Sequence, residues 1–145
     1  MVEPNVKEGK GGLRDLQSLF WIAKYLYQVK EQSDLVKLGM LIKDEFAKFQ
    51  QAENFLWAVR CHLHIFTQRP SDQLSFDLQV EVSERMGYKD TEARRAVELF
   101  MQDYFTHATR VGDITRIFLT ALEAKHVKEM PLLQRIFRRL PKIND

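Results

Sequence analysis

An unbroken stripe of apolar residues between positions 43 and 67 constrains the fold of this chain more than any other feature. Its members recur at steps of three or four residues: Phe46, Phe49, Ala52, Leu56, Val59, Leu63 and Phe66. This spacing is typical of an amphipathic α-helix. We therefore predict a long helix from about Lys43 to Thr67, with one face buried.

The same spacing predicts helices along most of the chain. A second long helix is expected over residues 91–123, capped by Asp90 or Thr91, with these inward positions: Val97, Phe100, Tyr104, Ala108, Val111, Ile114, Phe118 and Leu122. Shorter helices are predicted over 13–30, 33–38 and 76–86, and one more after Pro131. The helix over 13–30 is apolar on most of its circumference, which predicts a central position. The fold class is therefore all-α, a bundle of about five or six helices with two long ones.

Composition narrows the functional classes. The net charge of +2 over 145 residues is too small to indicate nucleic acid or an anionic membrane. No apolar run approaches the roughly 20 residues that span a bilayer, and the N-terminus lacks the pattern of a signal peptide. The single cysteine, Cys61, excludes an internal disulfide, and its apolar neighbours predict a small core residue. We expect a cytoplasmic chain.

The first helix follows a glycine-rich, basic turn. Gly11 and Gly12 allow backbone conformations and close approaches that a Cβ would hinder, and three cations accompany them: Lys7, Lys10 and Arg14. Because the free N–H groups at a helix start favour anions, this turn is a candidate phosphate site. The alternative is a flexible loop whose glycines serve only the turn.

A second polar feature lies on the long helix over 43–67. Trp57, Arg60 and His64 share one face by their spacing, and Arg69 follows in the loop. This face could bind an anion or line a cleft. The alternative is a polar contact with a neighbouring helix.

The order of residues resembles one bacterial enzyme family. Two blocks carry the resemblance: Pro4-Asn5-Val6-Lys7-Glu8 followed by Gly11-Gly12-Leu13-Arg14-Asp15-Leu16-Gln17, and Phe55-Leu56-Trp57 with Arg60, Leu63-His64, Arg69, Leu74-Ser75-Phe76-Asp77, Gln79 and Met86-Gly87-Tyr88. Over about residues 3–122, the chain resembles the PII uridylyltransferase/uridylyl-removing enzymes. The glutamine synthetase adenylyltransferases share the Gly-Gly-hydrophobic-Arg-acidic part of the first block, whereas the second block favours the uridylyl family.

The resemblance implies a domain organisation and an activity. Residues 1–12 would end a nucleotidyltransferase core, residues 13–124 would form a helical domain, and residues 125–145 would form a basic linker helix toward a further domain. The family transfers UMP from UTP to the PII protein and hydrolyses it off again. Its Asp-x-Asp, Gly-Ser and His-Asp metal-centre motifs do not occur in this sequence. The resemblance therefore places the Mg²⁺ ligands outside this chain and implies that the chain alone is inactive, with no catalytic or metal-binding residue.

The resemblance also ranks the candidate residues. Lys7, Lys10, Gly11, Gly12 and Arg14 are the expected contacts to triphosphate or to the cleft edge, and Arg60, His64 and Arg69 rank second. UTP and PII are the implied partners, glutamine is expected to be sensed elsewhere in the parent, and neither membrane nor nucleic acid is expected.

A competing hypothesis is a noncatalytic interaction module whose apolar and basic tail docks a protein or RNA. The glycine turn also offers a test of the phosphate site. If the turn packs on the bundle with its N–H groups covered by the domain's own side chains, the turn serves the fold.

Overall fold

The computed structural model describes residues 2–125, which form five α-helices. In chain order these are α1 (Leu13–Tyr27), α2 (Asp34–Lys37), α3 (Lys43–Thr67), α4 (Phe76–Arg85) and α5 (Ala96–Lys125). The described residues contain no β-strand, and their one bridge pairs Asn5 with Gln73 in antiparallel fashion. The all-α prediction is confirmed, including both long helices.

Helix α5 is, with α3, a central element of the bundle, because it packs against α1, α3 and α4. Its inward face buries Phe100, Tyr104 and Phe118 almost completely. The Phe100 ring lies 6.1 Å from Phe55 of α3 and 5.5 Å from Tyr88, which follows α4. Each such ring withdraws a large apolar surface from water, a gain of about 1.5–3 kcal/mol per side chain. These aromatic contacts join three segments of the chain into one core.

Helix α1 lies at the side of the bundle, so the prediction of a central position is wrong. Leu13, Leu16 and Leu19 are buried, but Trp21 and Tyr25 are 72% and 70% exposed. Periodicity identified the apolar residues correctly. However, neighbouring helices cover only one side of α1.

Cys61 corrects a second expectation, since it is exposed. It lies two residues from both Val59 and Leu63, which are fully buried on the inward face of α3. Two residues turn an α-helix by about 200°, so Cys61 points away from the core.

The start of α5 and the end of α1 differ from the prediction for local reasons. Residues 91–94 form a turn in which the Arg94 N–H donates to Thr91 Oγ1 at 3.0 Å. Helix α5 therefore begins at Ala96, whose N–H donates to Asp90 Oδ1 at 2.7 Å. Asp90 thus accepts an N–H at the start of α5, but it is not the adjacent N-cap that we predicted, because it lies six residues before Ala96. Helix α1 ends at Tyr27 because Gln28 adopts the left-handed conformation, with φ at 53°.

The predicted helix after Pro131 and most of the proposed linker over 125–145 lie outside the described residues. Within residues 2–125, every helix is too short or too polar to cross a bilayer.

Candidate functional site

The N-terminal segment, residues 2–12, is held against the loop between α3 and α4. The Val6 N–H donates to the Asp72 carbonyl and the Leu74 N–H donates to the Pro4 carbonyl, both at 2.8 Å. The Gln73 side-chain amide donates to the Glu3 carbonyl. The two blocks of residues that carry the family resemblance therefore meet in space.

Gln79 braces this junction from α4. Its side chain is 3% exposed, and its amide donates to the carbonyls of Val2 at 3.0 Å and Leu74 at 3.1 Å. The Glu3 carboxylate accepts the Phe76 N–H at the start of α4 at 2.8 Å. Since the Gln79 amide is buried and bonded on both sides of the junction, its role is to hold the fold together.

The glycine turn folds back on itself through hydrogen bonds. Asn5 Oδ1 accepts the N–H groups of Lys7 and Glu8 at 3.0 and 2.7 Å. The Gly12 N–H donates to the Gly9 carbonyl at 3.0 Å. The turn therefore uses its own polar groups to fix its shape.

The remaining donors at the start of α1 are also engaged. The Gly11 N–H donates to Asp15 Oδ2 at 2.9 Å, and the N–H groups of Leu13 and Arg14 donate to the carbonyls of Val6 and Lys7 at 3.0 and 2.8 Å. The expectation of free N–H groups for an anion is therefore wrong. The acceptors are mostly main-chain carbonyls of the preceding segment.

Gly11 and Gly12 are required by packing. Gly11 has a φ of +70°, and a Cβ there would lie 2.2 Å from the Ala108 carbonyl oxygen of α5. A Cβ on Gly12 would lie 2.6 Å from the Val6 carbonyl oxygen. The turn thus sits directly on the backbone of the central helix.

The cationic side chains of the turn remain as candidates. Lys10 is exposed, and Lys7 and Arg14 are partly buried. Arg14 Nη2 contacts Glu8 Oε1 at 2.8 Å, with the two side chains 38% and 51% exposed. Arg14 Nε is buried and has no hydrogen-bond partner within residues 2–125. The Arg14 guanidinium therefore already forms an ion pair with the carboxylate of Glu8.

Arg60 and His64 converge on a residue that sequence reasoning did not select. Asp72 Oδ1 accepts hydrogen bonds from Arg60 Nε at 2.9 Å and from His64 Nε2 at 2.7 Å. The Arg60 guanidinium also lies 5.3 Å from the Trp57 ring centroid. This arrangement favours the alternative interpretation of the α3 face, a polar contact within the fold. The contact is made with a loop and not with a neighbouring helix.

Burial alone would raise the pKa of the Asp72 carboxyl, which is 12% exposed. The hydrogen bonds and charges of His64 and Arg60 outweigh burial, so the pKa of Asp72 lies below its ordinary value. Arg69 is exposed, and its carbonyl accepts the Thr67 hydroxyl at 3.3 Å. Its side chain forms no hydrogen bond or ion pair with this cluster in the described part of the chain. A signal for Asp72 was available, because it lies in the loop directly after the face that carries Arg60 and His64.

The described residues, 2–125, contain no group of three His, Cys, Asp or Glu side chains that could hold a metal ion.

Comparisons with known proteins found similarity along most or all of the chain. The family model described as GlnD PII-uridylyltransferase matches residues 1–119. The bifunctional uridylyltransferase/uridylyl-removing enzyme of Ruegeria pomeroyi is 67% identical over 145 residues, which cover all of this chain and 16% of that relative. The enzyme of the same name from Cereibacter sphaeroides is 65% identical over 139 residues, 96% of this chain and 15% of the relative. No solved structure matches.

The chain thus spans about a sixth of the length of the curated relatives it matches. The resemblance carried by the glycine turn and the second block is confirmed, since the family model includes both blocks. The chain belongs to the GlnD PII-uridylyltransferase family.

Proposed function

We propose that this chain is the helical part of a bifunctional enzyme that transfers UMP from UTP to the PII protein and hydrolyses it off again. One observation carries the proposal: a relative bearing the name of that enzyme is 67% identical across the entire chain. Because the chain spans only about a sixth of that relative, most of the machinery of both reactions belongs to other parts of the parent.

The role we propose for the chain is to close one side of the nucleotide cleft with a cationic edge. Lys7, Lys10 and Arg14 form this edge. The main-chain donors of Gly11 and Gly12 are used within the chain, so the edge acts through side chains. Guanidinium and ammonium groups form charge-assisted hydrogen bonds to phosphate oxygens, which are stronger than neutral ones. The tight seat of the turn on Ala108 supports a fixed position for these cations.

Nucleotidyl transfer in this family implies Mg²⁺, which neutralises charge on the phosphates of the nucleotide. The side chains of residues 2–125 do not fit a metal centre, because no three potential ligands are grouped. We propose that the Mg²⁺ ligands belong to another part of the parent. The contribution of this chain is to orient the triphosphate and to offset its charge.

The experiment uses a chimeric enzyme in which this chain replaces the matching segment of the Ruegeria pomeroyi enzyme. Arg14→Ala and Lys7→Ala are each expected to lower kcat/KM for uridylyl transfer at least about tenfold, because a hydrogen bond to a charged group is worth about 1.5–3 kcal/mol. Uridylyl removal from modified PII is expected to persist.

The matched control is Lys48→Ala, an exposed lysine of α3 that pairs only with Asp44 at 3.2 Å among the described residues. It should leave both activities unchanged. Unaltered transfer kinetics in Arg14→Ala and Lys7→Ala would remove the N-terminal segment from the nucleotide site.

A further inference from the structure

We propose that Asp72 is a positioning residue for uridylyl transfer, holding the cationic N-terminal segment in register with α3. The inference rests on the proposed function of that segment. On this inference Arg60 and His64 hold Asp72 in place and do not contact the nucleotide.

The first step of the argument is the side chain of Asp72. A single oxygen, Oδ1, accepts from Arg60 Nε and His64 Nε2, which lie one turn apart on α3. Arg60 and Asp72 are 18% and 12% exposed, so water competes weakly for this contact. Two donors from a rigid helix fix the carboxylate and the backbone to which it is attached.

The second step is the main chain of Asp72. Its carbonyl accepts the Val6 N–H at 2.8 Å, and Val6 is fully buried. The next residue along the chain is Lys7, whose carbonyl in turn accepts the Arg14 N–H at 2.8 Å. One residue therefore connects the polar face of α3 to the backbone that carries two of the proposed phosphate contacts.

The third step concerns direct nucleotide binding by Arg60 and His64. Arg60 Nε and His64 Nε2 are both directed at Asp72. The Arg60 guanidinium carbon also lies 5.3 Å from the Trp57 ring centroid. A nucleotide would have to compete with a partly buried carboxylate for these donors, whereas Lys10 is exposed. The geometry thus separates the supporting cations of α3 from the cations of the N-terminal segment.

The test compares Asp72→Asn with Asp44→Asn in the chimeric enzyme. Asn keeps the size of the side chain and removes its charge, while Asp44 is 73% exposed and pairs with Lys48 on the outer surface of α3. Two quantities are measured: the KM for UTP in uridylyl transfer, and hydrogen exchange of peptides that cover residues 2–12.

For Asp72→Asn we expect the KM for UTP to rise about tenfold, since small displacements of binding groups have large effects. Exchange in residues 2–12 should accelerate, while kcat, uridylyl removal and exchange in α5 stay near the parent values. Asp44→Asn should change none of these. The double variant Arg60→Gln/Asp72→Asn should raise KM no further than the larger single effect, because both changes release the same contact.

Three outcomes would overturn the inference. An unchanged KM in Asp72→Asn, with Arg14→Ala still impaired, would leave the proposed function standing and remove Asp72 from it. Equal losses of transfer and removal, with faster exchange throughout α3–α5, would show a general loss of folding. Additive effects of the Arg60 and Asp72 changes would mean that Arg60 acts on its own. By contrast, normal kinetics in Lys7→Ala and Arg14→Ala would reject the proposed cationic edge of the nucleotide cleft.

Discussion

Replacing Gly11 with alanine is the sharpest test of how the N-terminal segment sits on the bundle. The added Cβ would lie 2.2 Å from the carbonyl oxygen of Ala108, and 2.8 and 2.9 Å from its carbonyl carbon and Cα. All three atoms belong to the backbone of the central helix α5, so no side-chain rotation can relieve the overlap. The turn must move away, or α5 must bend.

The magnitude follows from two separate costs. Gly11 has a φ of +70°, and the left-handed conformation costs a residue with a Cβ about 1–2 kcal/mol. Forcing extra atoms into a packed contact typically costs about 1–3 kcal/mol more. We therefore expect Gly11→Ala to reduce the free energy of unfolding by about 2–5 kcal/mol.

The assay is urea-induced unfolding of the chain, followed by circular dichroism. Gly39→Ala is the matched control, because Gly39 has a φ of +74° but no atom within 4 Å of the added Cβ. The difference between the two variants isolates the overlap with Ala108. Equal losses in both would refute the packing of the turn on α5.

Three further predictions concern other parts of the molecule. Phe100→Ala should lower the free energy of unfolding by about 3–5 kcal/mol in urea titrations, because it empties a fully buried site. A loss below about 1 kcal/mol would contradict that burial. Glu8→Gln should lower the KM for UTP in the chimeric enzyme, because it frees Arg14 from a competing carboxylate. The free energy of unfolding should change by less than about 1 kcal/mol. An unchanged KM would argue against Arg14 as a phosphate contact. Burial, and then the charge of Arg110, lower the pKa of His107 below its ordinary 6.5. As pH falls through 6.5 the unfolded chain therefore takes up a proton before the folded chain does, and the free energy of unfolding declines. Between pH 7.5 and 5.5, His107→Phe should show a smaller decline in the free energy of unfolding than the unaltered chain. Equal declines in the two proteins would contradict the burial argument.

The long helix α3 could be predicted from sequence with the correct ends. Its apolar stripe repeats without interruption, and Pro70 follows soon after its last residue. The start of α5 could not, because the turn over 91–94 depends on the Thr91 hydroxyl bonding to a nearby N–H. Periodicity shows which side chains are apolar, but not which face has a neighbour. Trp21 and Tyr25 are exposed for that reason.

The candidate site was predicted only in part. Sequence identified the cations of the glycine turn and the polar face of α3, since both follow from residue type and spacing. The acceptors that cover the start of α1 are carbonyls of Val6 and Lys7, which no side-chain pattern reveals. Asp72 escaped selection because its contacts depend on how the loop returns toward α3. Contacts made through tertiary structure are the part that the sequence pattern leaves open.

The pairing of the N-terminal segment with the loop before α4 has a consequence for biosynthesis. Gln73 bonds to Glu3 across a separation of 70 residues. At synthesis rates of about 5–20 residues per second, the segment waits roughly 4–14 s before its partner leaves the ribosome. Throughout that interval the segment must stay soluble without the loop that it contacts in the folded chain. The proline, the glycines and the alternating charges of the N-terminal segment should help it to remain unpaired during this delay, because such residues resist premature pairing with other nascent chains.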